Sequence, residues 1–98
     1  MGAIVTTGNK GKTIRSDCFV TLEMKDDGGI DLQLESKVAV MYGESIKSLA
    51  FQILDFFEIN NASLKIEDSG ALPLVIAARI EAAIKKAQEM LKIVVSSQ

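Results

Sequence analysis

The side chains able to do chemistry in this chain are few. With no histidine and one cysteine among its 98 residues, it lacks the usual imidazole base, the ligand set of a zinc site and any intrachain disulfide. Hydroxyls, carboxylates and one thiol remain. Cys18 falls on the apolar face of an alternating run, where a free thiol behaves as a small buried hydrophobe. Asp26, Asp27 and Asp31 lie close together, but hairpin turns are commonly this acidic, so a solvated turn accounts for them and no metal site is expected. Gly8-Asn9-Lys10-Gly11-Lys12-Thr13 has the composition of a phosphate loop. The first glycine of that pattern would fall at Thr6, however, and a strand follows instead of a helix. Met1 to Thr6 fits the permissive myristoylation pattern, which a mobile tail explains equally well. Asn61-Ala62-Ser63 is a sequon only under secretion and reads as turn chemistry. Arg79 and Glu81 are either solvated or part of a contact surface.

The elements that must position these residues are legible in the periodicity. Residues 1–13, rich in Gly, Thr, Asn and Lys, read as a mobile arm, in which Ile4-Val5 could be held by a neighbour. Cys18, Val20, Leu22 and Met24 then share one face of a half-buried strand, with Phe19 as the exception on the other face. Asp26-Asp27-Gly28-Gly29 supplies a hairpin turn, and Ile30, Leu32 and Leu34 alternate in a second, antiparallel strand. Ser36 is placed to cap a long amphipathic helix through Val38, Met41, Tyr42, Ile46, Leu49, Ile53 and Phe57, ended by Asn60-Asn61. Gly43 inside that helix implies close packing on its face. Leu64 and Ile66 mark a third strand that breaks at Asp68-Ser69-Gly70. Ile76, Ile80, Ile84, Ala87 and Leu91 recur at spacings of three or four, so a second helix follows, with Pro73 in its first turn. The expected fold is α+β: a small, largely antiparallel sheet with two helices on one face, in the order β-β-α-β-α. Residues 14–92 form the single domain, and 93–98 a tail.

Composition narrows the function. A chain with 48% hydrophobic and 24% charged residues has the balance of an ordinary globular domain. Its net charge of −2 and pI near 5.0 oppose nucleic-acid binding, which needs a basic surface. No apolar run approaches a membrane span and no signal segment opens the chain, so no membrane association and a cytoplasmic location are expected.

Four blocks carry a family resemblance: Thr13-Ile14-Arg15-Ser16-Asp17; Ile30 to Val38; Tyr42-Gly43; and Asp68-Ser69-Gly70-Ala71-Leu72 followed by Ile76 to Ala83. Together they resemble the acyl carrier proteins of citrate lyase, its gamma subunits, over roughly residues 11–87. The chain departs from that family at Ser69, Pro73 and Ala77, and in having Asp17 directly after Ser16, where a small residue commonly intervenes. It also lacks the Asp-Ser-Leu motif of the helical carriers.

What the resemblance implies is specific. Ser16 would bear a 2'-(5''-phosphoribosyl)-3'-dephospho-CoA group (phosphoribosyl-dephospho-CoA) through a phosphodiester. The thiol of that arm would then carry acetyl and citryl thioesters, with no catalytic residue and no metal in the chain itself. The implied partners are the acyl-exchange (alpha) and cleaving (beta) subunits of citrate lyase and a prosthetic-group transferase. Lys10, Lys12 and Arg15 flank Ser16 with charge suited to a polyanionic precursor. A malonate decarboxylase carrier is the nearest alternative, and an unmodified α+β interaction module the alternative of another class.

Overall fold

The structure, a computed structural model, describes residues 3–36 and 39–96, apart from the side chains at 39, 40 and 93–96. Along the chain run β1 (Ile4–Gly8), β2 (Asp17–Met24), β3 (Ile30–Ser36), α1 (Ala39–Phe56), β4 (Ala62–Ser69) and α2 (Pro73–Ser96). The strands form one sheet in the order β1-β2-β4-β3. β1 and β4 flank β2, both antiparallel to it, while β3 runs parallel to β4.

The expected α+β class and the β-β-α-β-α succession are present, with three differences. The sheet is mixed: β2 and β3 are not a hairpin pair, because β4 is inserted between them. A parallel pair needs a long crossover, and α1 supplies it between β3 and β4. Gly28 and Gly29 do take positive φ, +94° and +75°, but the turn passes over the start of β4. Gly29 donates its amide to Asn61 Oδ1 at 2.8 Å and accepts from the Ala62 amide at 3.0 Å.

Second, Ile4–Gly8 is a strand where composition read an arm. Five residues carry too little alternation to announce one; pairing Val5 with Leu22 in β2 buries Val5 to 5% exposure. Third, α2 continues to Ser96, through the first residues of the expected tail.

One face of the sheet carries the core. Cys18, Val20, Leu22, Leu64 and Ile66 lie beneath Ile76, Ile80, Ala83, Ile84 and Ala87 of α2 in a single buried cluster. These α2 positions follow the expected spacing, and Pro73 is the first helical residue, where its missing N–H costs nothing. In α1 the buried face is Gly43, Ile46, Ala50 and Leu54, while Met41 and Tyr42, expected inside, are exposed. The glycine thus sits in the packed stripe. α1 closes with Glu58 at φ +57°. The Glu58 amide reaches the Asp55 carbonyl and the Ile59 amide the Leu54 carbonyl, both at 2.9 Å, a Schellman arrangement two residues before the expected Asn60-Asn61 stop. Ser36 ends β3 and donates its hydroxyl to Asp68 Oδ2 at 2.8 Å. The cap expected there involves residues 37 and 38, which lie outside the described residues.

Candidate functional site

Residues 9–16 join β1 to β2, and the neck of this loop is closed from three directions. The Asn9 amide donates to the Cys18 carbonyl at 3.1 Å, and Asn9 Nδ2 to Asp17 Oδ2 at 2.9 Å. Gly8, at φ +88°, lets the strands approach: a Cβ there would overlap the Cys18 carbonyl oxygen and press on Arg79 Nε. From α2, Arg79 grips Asp17 with both arms, Nε to Oδ1 at 3.0 Å and Nη2 to Oδ2 at 2.8 Å. The helix is itself tied to β1, Thr7 Oγ1 donating to the Arg79 carbonyl and Lys86 Nζ to the Thr6 carbonyl, each at 2.7 Å.

Ser16 sits beside this neck. It is exposed and holds φ +56°, a left-handed conformation uncommon for a residue with a Cβ. Its amide donates to the Ser69 carbonyl at 2.9 Å. Among the described residues its hydroxyl makes no hydrogen bond. The next residue, Asp17, is held by Arg79, Asn9 and the Cys18 amide. Arg79 first, then Asn9, and to a smaller degree the Cys18 amide hold it down to about 2, against the opposing effect of burial. The same hydrogen bond raises Arg79 above its ordinary range.

The other candidates resolve plainly. Cys18 is fully buried, and burial, with the nearby charges of Asp17 and Asp68, pushes its thiol up to about 11. At neutral pH it is a protonated core residue. Lys10 is engaged elsewhere, 3.2 Å from Glu67 and 4.7 Å above the Phe19 ring. Arg15 turns back on its own loop, with Nη1 3.3 Å from the Lys12 carbonyl. Of the expected basic group, Lys12 and Arg15 are thus left to the exposed loop. The Ser69 side is acidic: Glu35, Glu67 and Asp68 line an open hollow of about 240 Å³ with Ser36 and Ser69. An anion attached at Ser16 would be favoured on the loop side and repelled from this hollow. On the helix side, Tyr42, Ile46, Leu49, Gly70, Leu72 and Ile76 line an apolar cleft of about 430 Å³, and its Gly70 rim bridges Asp17.

The Asp17–Arg79 pair is what the sequence concealed. The two stand 62 residues apart, and nothing local in either segment announces the other.

This arrangement defines a class: a small α+β domain that displays the Ser16 hydroxyl beside the neck of a tightly closed loop. Comparison with known proteins makes the class specific. The profile of an acyl carrier (ACP) family, described as malonate decarboxylase delta subunit (MdcD), matches residues 6–87. The citrate lyase acyl carrier protein of Vibrio cholerae serotype O1 is 42% identical over 72 residues, covering 74% of both chains. Its counterpart in Treponema denticola is 40% identical over 74 residues, 76% of this chain and 83% of the relative. That of Clostridium perfringens is 40% identical over 75 residues, 76% and 74% of the two chains. The chain belongs to this acyl carrier family. No helix among the described residues is long and apolar enough to cross a membrane.

Proposed function

We propose that this chain is the carrier subunit of a cytoplasmic citrate lyase complex, non-catalytic in itself, with Ser16 as the attachment point of a phosphoribosyl-dephospho-CoA group. The observation that supports the site is the exposed Ser16 hydroxyl, free of hydrogen bonds among the described residues, on a backbone anchored at Ser69 and Asp17. The surroundings fit such a group, because its phosphates would face Lys12 and Arg15 and avoid the acidic hollow at Glu35 and Glu67. When bound, the group supplies a thiol that carries acetyl or citryl as a thioester. Ser16 supplies the ester oxygen, and the loop neck fixes where the tether starts. Confinement on one tether gives the acyl-exchange and cleaving subunits a high effective concentration of carrier.

The direct test is the intact mass of the chain taken from its native complex, followed by peptide mapping. One added group per chain on Ser16 is expected; an unmodified chain, or a group on another residue, would overturn the site. A malonate decarboxylase carrier is the second reading, favoured by the description of the matching family. Partner subunits that release oxaloacetate point to citrate lyase, and partners that release carbon dioxide to the decarboxylase.

A further inference from the structure

Ser16 is held in an unfavourable conformation by unequal anchors. Before it, Arg15 is tied only to carbonyls of its own loop. After it, Asp17 receives Arg79, Asn9 and the Cys18 amide. Asn9 belongs to the same loop. Arg79 comes from α2 instead, one position before the fully buried Ile80 and three after Ile76, at 1% exposure. Its guanidinium is therefore the side-chain tie from α2 to the serine loop, beside the Ser16 amide's bond to the Ser69 carbonyl and the Lys10–Glu67 pair on the β4 side. The planar fork matches the carboxylate at two points, which a lysine ammonium cannot do.

We propose that Arg79 is a positioning residue for group attachment at Ser16: its two-point grip on Asp17 keeps the adjacent serine in the left-handed conformation that presents the hydroxyl to a transferase. This rests on Ser16 being the attachment point. In that step Ser16 Oγ attacks a phosphorus of a phosphoanhydride precursor and gives up its proton to solvent. The Oγ–P bond forms as the anhydride P–O bond breaks, and the departing phosphate portion keeps the electron pair. Arg79 touches none of these atoms; it sets the fraction of chains whose serine is presented.

A fall in that fraction raises the apparent KM of the carrier as a transferase substrate in the same proportion and leaves kcat in place. With the purified transferase and the phosphoanhydride precursor, Arg79→Gln should raise KM by about tenfold. Arg79→Lys should recover part of the loss. Asp17→Asn should behave like Arg79→Gln, and the double variant should be little worse than either, because the two act as one contact. Lys86→Gln, which removes a different tie between α2 and β1, should leave KM unchanged. A readout independent of the transferase is hydrogen exchange at the Ser16 amide, bonded to Ser69. It should quicken about tenfold in Arg79→Gln while the Leu22 amide in the core keeps its rate.

If the wild-type chain gains no mass at Ser16 in this assay, the attachment reading fails and the role in attachment fails with it. If the wild type is modified and Arg79→Gln has the same KM, the reading stands and this inference is overturned. Unchanged exchange at the Ser16 amide overturns it as well, whatever the transferase does.

Discussion

β2 has a loop at each end, and the two solve the same backbone problem differently. The loop after it turns on Gly28 and Gly29, both at positive φ, with nothing within 4 Å of where a Cβ would stand. Glycine removes the strain, and no charged side chain needs to be recruited. The loop before β2 places a serine at φ +56° and surrounds the following aspartate with a guanidinium, an amide side chain and a backbone amide. A side chain that must stay at a strained position has to be held there by its surroundings. The difference between the two loops is what the proposed attachment at Ser16 would lead one to expect.

The largest effect separating them should come from Ser16→Ala. Intact-mass measurement should find no group on the variant, because the variant lacks the proposed ester oxygen. Its stability should shift by no more than about 0.5 kcal/mol, as expected for an exposed hydroxyl without partners. Ser36→Ala should do the reverse: the group stays, while loss of the hydrogen bond to the buried Asp68 costs on the order of 1 kcal/mol. Modification that survives Ser16→Ala and disappears in Ser36→Ala would move the site across β4 to the end of the edge strand β3.

Backbone substitutions sharpen the contrast. Gly8→Ala meets both a positive φ and the Cys18 carbonyl, so urea unfolding should show a loss of about 2–3 kcal/mol or more. Gly28→Ala meets only the φ and should lose about 1 kcal/mol. Equal losses would mean that the serine-bearing neck is no more tightly built than the other turn.

Acid titration isolates the clamp. Asp17 has a folded value of about 2 against an ordinary 3.8, a depressed carboxyl. Its contribution to stability is therefore complete above about 4 and is lost as pH falls towards 2. Since the Arg79 side chain is 36% exposed, solvent screening keeps the effect small. Denaturant midpoints at pH 5 and pH 2.5 should differ by more in the wild type than in Arg79→Gln, and equal differences would remove the clamp from the account. The smallest effect lies away from both loops. Glu58→Gly relieves a positive φ at the end of α1 and should raise stability by no more than about 1 kcal/mol, visible as a small rise in Tm.

The residues of the two best-read elements show what local pattern can carry. Alternation from Cys18 to Met24 and the three-and-four spacing from Ile76 to Leu91 each encode a buried face within one segment, and the structure buries those faces. Pro73 at the head of α2 and the glycine pair after β2 were legible for the same reason: each acts on its own φ. The nearness of Lys10, Lys12 and Arg15 to Ser16 in sequence was legible too, but not their contacts in space. Lys10 is spent on Glu67 and Phe19, and Arg79, far along the chain, holds the neck.

By itself, then, the sequence determined the α+β class, the succession of its main elements and the absence of any histidine chemistry, because these depend on composition and on periods of two and 3.6 residues. The family blocks around Ser16 and Gly70 also lay in plain order along the chain. Only the tertiary structure decided that β4 slips between β2 and β3, that β1 is a strand, and that Asp17 meets Arg79. Strand order depends on which edge offers the better apolar surface once α1 has crossed over. An ion pair across 62 residues exists only after β2 and α2 have packed, so neither leaves a periodic trace in its own segment.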